Sequence, residues 1–569
     1  MAMDCLGEIF KCFPGDNNTL FQCMLVNKMW CASAVATLWR DPFAMLIAKT
    51  ESSSLYNDNA LTDQETRAQA SRFLTVFLEK LSEESRSLLI RNGIKLPKIS
   101  TKKPMFEYLE FISTFDIVRF SLTVSYWIFC GGKRGRKTRF QCFLVEQEIY
   151  KVVVNRCPHI IKFRCVEDFF ECDSDLLPVF NFTYLLSSSN QMFSNIREFE
   201  CSAGFTTDQI YFVLSQLITK LDTLKISSAP DYFDDDFYGL TEFIKAQQSL
   251  RNIEFICHNK EFDDLQYRNK EIGKALEKQA KSLIRLRIHG YQGVPFETFC
   301  YFENLREMSL YFFDDMPQET EDKLVRMKFK KLHKFYVKAA SLDFSKIAKF
   351  IRQNGKNLVD VKIEVDSSLD NEQSGLILDA VAYSCPNIIT FHGTIDPINV
   401  ESQLRFFCKQ CRKLNNLGLN LVEDKFDACD IYDILNVLGE CAPRSIFNFI
   451  FEGDWDYLKC TLEAFLKQRQ SIAPFRVIYI GYIDIGGMRK SKGDIFESEN
   501  YNSDYDDSDY SDSQFGSTTH FGDMDFINCG DSNGDSFDDD YDFGMNSLTK
   551  YFEEGILEIR SPIHGDFKF

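Results

Sequence analysis

No stretch of this chain is apolar for long enough to cross a bilayer. The longest, around Phe120 to Cys130, is short and interrupted by Ser and Thr. The opening MAMDCLGEIF carries an acid and has no basic n-region, so it lacks the form of a secretory leader. A cytoplasmic or nuclear protein is therefore expected, with no membrane association. Catalytic signatures are missing too: there is no Walker loop, no H-E-x-x-H and no nucleophile with a credible base partner. An enzyme is not expected, nor a cofactor. Basic excess is also absent. The formal net charge is −19, and the segment Asp494 to Asp542 holds 16 acids with no Lys or Arg. The rest of the chain is nearly neutral, which gives no reason to expect nucleic acid as a partner. The 19 cysteines are an odd number scattered through a long chain, so reduced, partly buried thiols are expected rather than a disulfide framework. Cys408 and Cys411 form a C-x-x-C, but no second ligand pair follows at zinc spacing, and no metal is expected.

What the chain does have is phenylalanine, 54 in 569 residues, and a recurring pattern. An apolar residue, two variable positions, a second apolar residue, one variable position and a third apolar residue recur from about Arg156 onward. The pattern reads LIRLRI at Leu283, LREMSL at Leu305, LHKFYV at Leu332, LVDVKI at Leu358 and LNNLGL at Leu414. Twelve copies run from Ile160 to Phe475. The step is about 29 residues, a period that marks a solenoid. Apolar alternation predicts a short strand with one buried face, and segments such as FSKIAKFIRQNGK and GLILDAVAYSCPN carry helical periodicity between strands. Such a unit cannot bury its apolar face alone, so units stack. Cys157, Cys385, Cys411 and Cys441 recur shortly before the anchors, as small thiols ending each helix would. The L-x-x-L-x-L core and its period resemble the leucine-rich repeat, in its cysteine-containing form. The expected fold is an α/β repeat, a horseshoe of about twelve irregular units over residues 156–489.

Residues 46–155 read as amphipathic helices that extend or cap the solenoid, with ETRAQASRFLTVFLEKLSEESRSLLIRNG and PMFEYLEFISTFDIVRF as the helical stretches. Five basic residues in the seven from Lys133 to Arg139 read as a solvated loop. Residues 490–545, rich in Asp, Ser, Gly, Tyr and Asn, lack apolar periodicity and are expected to be disordered. Within them, Gly530-Asp531-Ser532-Asn533-Gly534 imitates a hydrolase elbow and DSNGD a calcium loop, but neither has the flanking elements that chemistry needs. Apolar alternation returns in KYFEEGILEIRSP, so residues 546–569 read as a closing strand or tail.

The first 45 residues are different again. Leu6, Ile9, Phe10 and Phe13 fall on one face of a helix stopped by Pro14-Gly15. Asp16 or Asn17 can cap a second helix with Leu20, Cys23 and Met24. A third, Asn27 to Leu38, carries Trp30 and ends before Asp41-Pro42. Three short helices cannot bury this much apolar surface among themselves, and the surplus reads as a docking face. DCLGEIFKCF followed by LFQCMLVNKMWCASAVATLWRDPF resembles the F-box, although that family usually opens with Leu-Pro where this chain has Met1-Ala2. The resemblance covers about 45 residues, and with the repeats it points to the F-box/leucine-rich-repeat proteins. It implies a substrate-recognition subunit of an SCF-type ubiquitin ligase. The F-box would dock on a Skp adaptor that brings the cullin/RING core, and the repeats would hold a protein substrate. On that alignment Leu6, Ile9, Phe10, Leu20, Val26, Trp30, Leu38 and Trp39 form the adaptor contact and its supporting core. Two alternatives stay open: a repeat scaffold with no ubiquitin role, and Trp30 and Trp39 packing only against residues 46–90.

Between the buried positions of each strand, side chains face away from the core. In three successive units these are Arg285, Arg287 and His289, then Tyr311, then Lys334, Tyr336 and Lys338. Strands lie about 4.8 Å apart, so the seven share one patch, suited to an acidic or phosphorylated segment. The chain's own acidic segment would compete for it.

Overall fold

Each L-x-x-L-x-L segment forms a strand, and the strands stack in the order they are made. The computed structural model describes residues 2–10, 12–13, 16–43, 64–98, 104–128, 136–166, 190–203, 208–228, 238–257, 270–290, 294–365, 373–395, 400–421, 428–452, 459–480, 550–551 and 554–560. The acidic segment 490–545, its two imitation motifs and Lys133 to Gly135 of the basic stretch lie outside them. The strands are β1 Thr114–Asp116, β2 Lys162–Cys165, β3 Glu198–Ala203, β4 Thr223–Ser228, β5 Asn252–Cys257, β6 Arg285–His289 and β7 Glu307–Tyr311. They continue with β8 Lys334–Ala339, β9 Asp360–Val365, β10 Thr390–Ile395, β11 Asn416–Leu421, β12 Asn448–Glu452, β13 Arg476–Ile480 and β14 Leu557–Arg560. All fourteen belong to one sheet in sequence order, and every neighbouring pair is parallel. A parallel sheet with helical crossovers is an α/β architecture, compatible with a repeat solenoid.

One buried row holds the stack together. Phe115, Phe163, Phe199, Leu224, Ile253, Leu286, Met308, Phe335, Val361, Phe391, Leu417, Phe449, Val477 and Leu557 follow one another in register, one per strand, none more than 4% exposed. Burial of each stabilises by roughly 1.5–3 kcal/mol. The crossovers supply the opposite wall. FSKIAKFIRQN forms the helix Phe344–Asn354, capped by Asp343, whose carboxylate accepts from the amides of Ser345 and Lys346 at 3.0 and 3.2 Å.

The helix ends before the anchors are more varied than a recurring thiol. Cys157, Cys385 and Cys411 are buried there. In other units a buried amide takes the place. Gln247 Nε2 donates to the carbonyls of Ile218 and Phe243 at 2.8 and 2.9 Å. Gln279 Nε2 donates to those of Ile244 and Gln247 at 3.1 and 2.9 Å. Asn354 Nδ2 donates to those of Met327 and Phe350 at 3.1 and 2.9 Å. These side chains tie each helix end to the unit before it and add donors to carbonyls inside the stack.

The twelve sequence units correspond to β2–β13, and β14 comes from the apolar alternation near the C-terminus. β1 was not anticipated. PMFEYLEFISTFDIVRF does not form one helix: Tyr108–Phe111 is a single 3-10 turn, then comes β1, and the helix starts only at Ile117. Phe115 at the head of the buried row sets this break.

The N-terminal region forms helices α1 Ala2–Phe10, α2 Asn17–Met24 and α3 Lys28–Leu38. Next come α4 Gln64–Leu78, α5 Glu83–Arg91, α6 Ile117–Ile128 and α7 Arg136–Arg156. α1–α3 have a small core of their own, distinct from the main one. The joint between the two is specific. From β1 to β11, one carbonyl just before each strand accepts two successive amides of the next unit, as Ser113 does from Ile161 and Lys162 at 2.9 and 3.0 Å. The Arg40 carbonyl does the same for Ser113 and Thr114, both at 3.0 Å. The chain leaving α3 thus continues the backbone ladder of the sheet.

Candidate protein-interaction surfaces

The first surface is on α1–α3. Asp16 accepts from the Thr19 amide at 3.0 Å, and Asn27 from the amides of Met29 and Trp30, both at 3.0 Å, so α2 and α3 begin at true caps. These starts bring Leu6, Phe10, Leu20 and Leu38 together with Ala34 as the small core. Trp30 leans its ring edge on Phe10, with centroids 5.5 Å apart. The eight residues picked out by alignment therefore divide into three groups. Leu6, Phe10, Leu20 and Leu38 are interior, with Trp30 half-buried against them. Trp39 faces the following region, with centroids 5.4 Å from Phe73 and 4.7 Å from Tyr108. Trp39 is a joint residue, half-buried between the small core and the following region, whereas the ring contact of Trp30 is with Phe10. Only Ile9 and Val26, 52% and 58% exposed, face solvent outright.

Further apolar side chains are exposed on this unit: Phe13, Phe21, Met29 and above all Leu25, which is 80% exposed. Alignment did not select them. The available signal was position: Leu25 and Val26 occupy the turn immediately before the Asn27 cap, where a chain without a partner would carry polar residues. Six large apolar side chains between Ile9 and Met29 are thus exposed on a unit that has a core of its own, which makes this a candidate binding face.

The second surface is the polar face of the sheet. Register places Arg285, Glu307, Lys334 and Asp360 in one row. The next row holds Glu254, Arg287, Ser309, Tyr336 and Lys362, and a third His289, Tyr311, Lys338 and Glu364. The seven predicted residues do share one face, but they share it with four carboxylates. Arg285 Nε is 2.9 Å and Arg287 Nη2 3.0 Å from Glu307. Lys334 is 3.8 Å from Asp360, and His289 Nε2 3.6 Å from Glu254. Tyr336 donates its hydroxyl to Asp360 at 2.5 Å. Lys338 stands over the Tyr311 ring, 6.0 Å from its centroid. Burial pushes the Glu307 carboxyl up, but hydrogen bonds from Arg285 and Arg287 outweigh it and leave the group below its ordinary value. Burial and the Asp360 hydrogen bond push Tyr336 well up, so its phenol stays a donor. The face is a lattice of alternating charges rather than a positive field. A shallow depression in it is lined by His289, Tyr311, Tyr336 and Lys338 along with Lys362 and Glu364.

The C-x-x-C belongs to the helix end before β11. Cys408 and Cys411 are free and buried, and burial pushes both thiols up to about 12, so they stay protonated near neutrality. Among the described residues no helix is long and apolar enough to cross a membrane. No family model matches the chain, and a search of curated proteins returned no match.

Proposed function

We propose that the chain is a substrate-recognition adaptor of an SCF-type ubiquitin ligase. α1–α3 act as an F-box that docks on a Skp adaptor carrying the cullin/RING core. The leucine-rich-repeat sheet presents its polar face to a protein substrate, and the chain performs no chemistry of its own. The observation that supports this best is the exposure of Ile9, Leu25 and Val26 on a unit that already has a core and is joined to the sheet through Arg40. Surface of that kind is stabilised by being covered, at about 25 cal/mol per Å² of apolar area. The charged face suits a segment bearing both signs, acidic or phosphorylated groups meeting Arg285, Arg287 and Lys338 while basic groups meet Glu254 and Asp360.

The test is capture of a purified Skp adaptor by the full chain and by Leu25→Asp with Val26→Asp. These positions are exposed, so the variant keeps its fold, whereas Leu38→Ala would damage the small core and discriminate nothing. The expected result is loss of capture with an unchanged thermal transition. Equal capture by the variant refutes the docking face. If the wild-type chain captures no adaptor, the repeat scaffold without a ubiquitin role takes its place.

A further inference from the structure

On the polar face of the sheet, beyond the seven residues already described, three side chains from three strands converge. His392 of β10 lies opposite Gly418 of β11. A β-carbon at Gly418 would sit 2.6 Å from His392 Cγ, so the imidazole lies across β11 in space that only glycine leaves. It thereby reaches Glu452 of β12, with Nε2 3.1 Å from a carboxylate oxygen. On the other side Nε2 is 3.9 Å from Glu364 Oε1 of β9. One atom from each of the three residues falls within 4.8 Å of the others.

Burial makes this arrangement costly without something at its centre. The Glu364 and His392 side chains are 3% and 9% exposed. Neither Glu364 Oε1 nor His392 Nε2 has a hydrogen-bond partner of good alignment, although both are close to charged groups. Lys362 Nζ is 2.8 Å from Glu364 Oε1 but badly aligned, and its side chain, 22% exposed, has a route into solvent. Buried polar atoms gathered this closely are stabilised by a partner they can all reach.

We propose that Glu364, His392 and Glu452 bind a divalent transition-metal ion of the zinc type. The donor set is one imidazole nitrogen and two carboxylate oxygens, which favours zinc or its neighbours over magnesium, an ion that prefers six oxygens and keeps its waters. Donors held about 2.1 Å from a tetrahedral ion lie roughly 3.4 Å apart; the His392 separations of 3.1 and 3.9 Å are close to that, and with all three donors within 4.8 Å of one another the two carboxylates close the remaining gap by side-chain rotation. Two carboxylates balance the ion's charge, and Lys362 turns outward when it arrives. Three protein ligands leave a fourth position open. The proposal does not depend on any role in ubiquitin transfer.

The test uses the full chain, reduced and stripped with a chelator, titrated with zinc against a chromophoric indicator. The chain also carries exposed thiols at Cys5, Cys12 and Cys300, so the reading is a difference between variants. Wild type should bind one equivalent more than His392→Ala, and Glu452→Gln should weaken that equivalent by about tenfold or more. Gly418→Ala keeps all three ligands but displaces the ring, and should weaken it as well. Cobalt(II) bound at this site should show no thiolate charge-transfer band. Thermal unfolding in chelator establishes that each variant is folded, and Glu452→Gln serves if His392→Ala is not. Equal stoichiometry and affinity in wild type and a folded ligand variant would overturn the proposal, as would a difference equivalent whose cobalt spectrum shows thiolate.

Discussion

The joint between α3 and the sheet should fail when Phe43 is truncated. Phe43 is fully buried, and its ring meets Phe73, Phe77, Phe115 and Phe120 at centroid separations of 5.0, 6.2, 5.7 and 5.7 Å. Replacing a buried Phe by Ala costs about 3–5 kcal/mol, from lost transfer energy and the cavity left behind. Three residues away, the Arg40 carbonyl holds the amides of Ser113 and Thr114. If Phe43 anchors that segment, the loss weakens the local joint more than the distant repeats, because repeat stability is carried by nearest neighbours. At about 1.4 kcal/mol per factor of ten, Phe43→Ala should raise the opening equilibrium at Ser113 and Thr114 by roughly two to three orders of magnitude. Hydrogen exchange of peptides covering 110–118 reads this directly, with peptides over β8 to β11 as internal reference. Unchanged exchange at 113 and 114 in a folded variant would refute the anchoring argument. So would equal acceleration in every strand.

The strands were readable because a three-point apolar pattern kept phase through twelve units, and each anchor falls just before the strand it predicts. β1 was not readable: Thr114–Asp116 is three residues long, shorter than any periodicity can register, and only the Phe163 row beside it explains why it is a strand. LWRDPF was recognisable as a motif but not for its work. An apolar side chain at a helix end can be buried by its own unit, by the next or by a partner, and the choice is tertiary. Here Leu38 goes to the small core, Trp39 to Phe73 and Tyr108, and Phe43 to the main core. The charged face was half read. The outward cations and tyrosines of three units were found, but Glu254, Glu307, Asp360 and Glu364 occupy the same rows, and following the register across five strands would have shown them. Glu364, His392 and Glu452 have no mutual spacing that marks a ligand set. Only stacking, and a glycine between two of them, brings them together.

Two further outcomes follow from buried polar groups. Burial pushes Glu146 of α7 from 4.5 to about 7, the nearby Ser121 hydroxyl offsetting only part of it. Its folded value exceeds its unfolded one, so this contribution to stability is complete below about pH 4.5 and is lost as pH rises through about 7. Glu146→Gln should remove that slope and stabilise the chain at pH 8 by on the order of 3 kcal/mol, measured by urea unfolding across pH; equal slopes in the two proteins would refute it. The amide ladder gives the last prediction. Gln279→Ala strips the donor from the carbonyls of Ile244 and Gln247, both inside the stack. The Ile244 carbonyl keeps the Gln247 amide, but the Gln247 carbonyl left buried and unpaired costs about 1–3 kcal/mol, and the truncation leaves a cavity as well. The two acceptors lie at the end of the preceding helix, Tyr238–Ala246, and just past it, so the loss falls on the interface between two units rather than on either unit alone. Urea unfolding of Gln279→Ala should therefore broaden or split into two transitions, while Lys278→Ala, next to it but outside the ladder, leaves one. A single transition at the wild-type midpoint would mean that water or a backbone shift satisfies the Gln247 carbonyl, and that the amides do not couple the units.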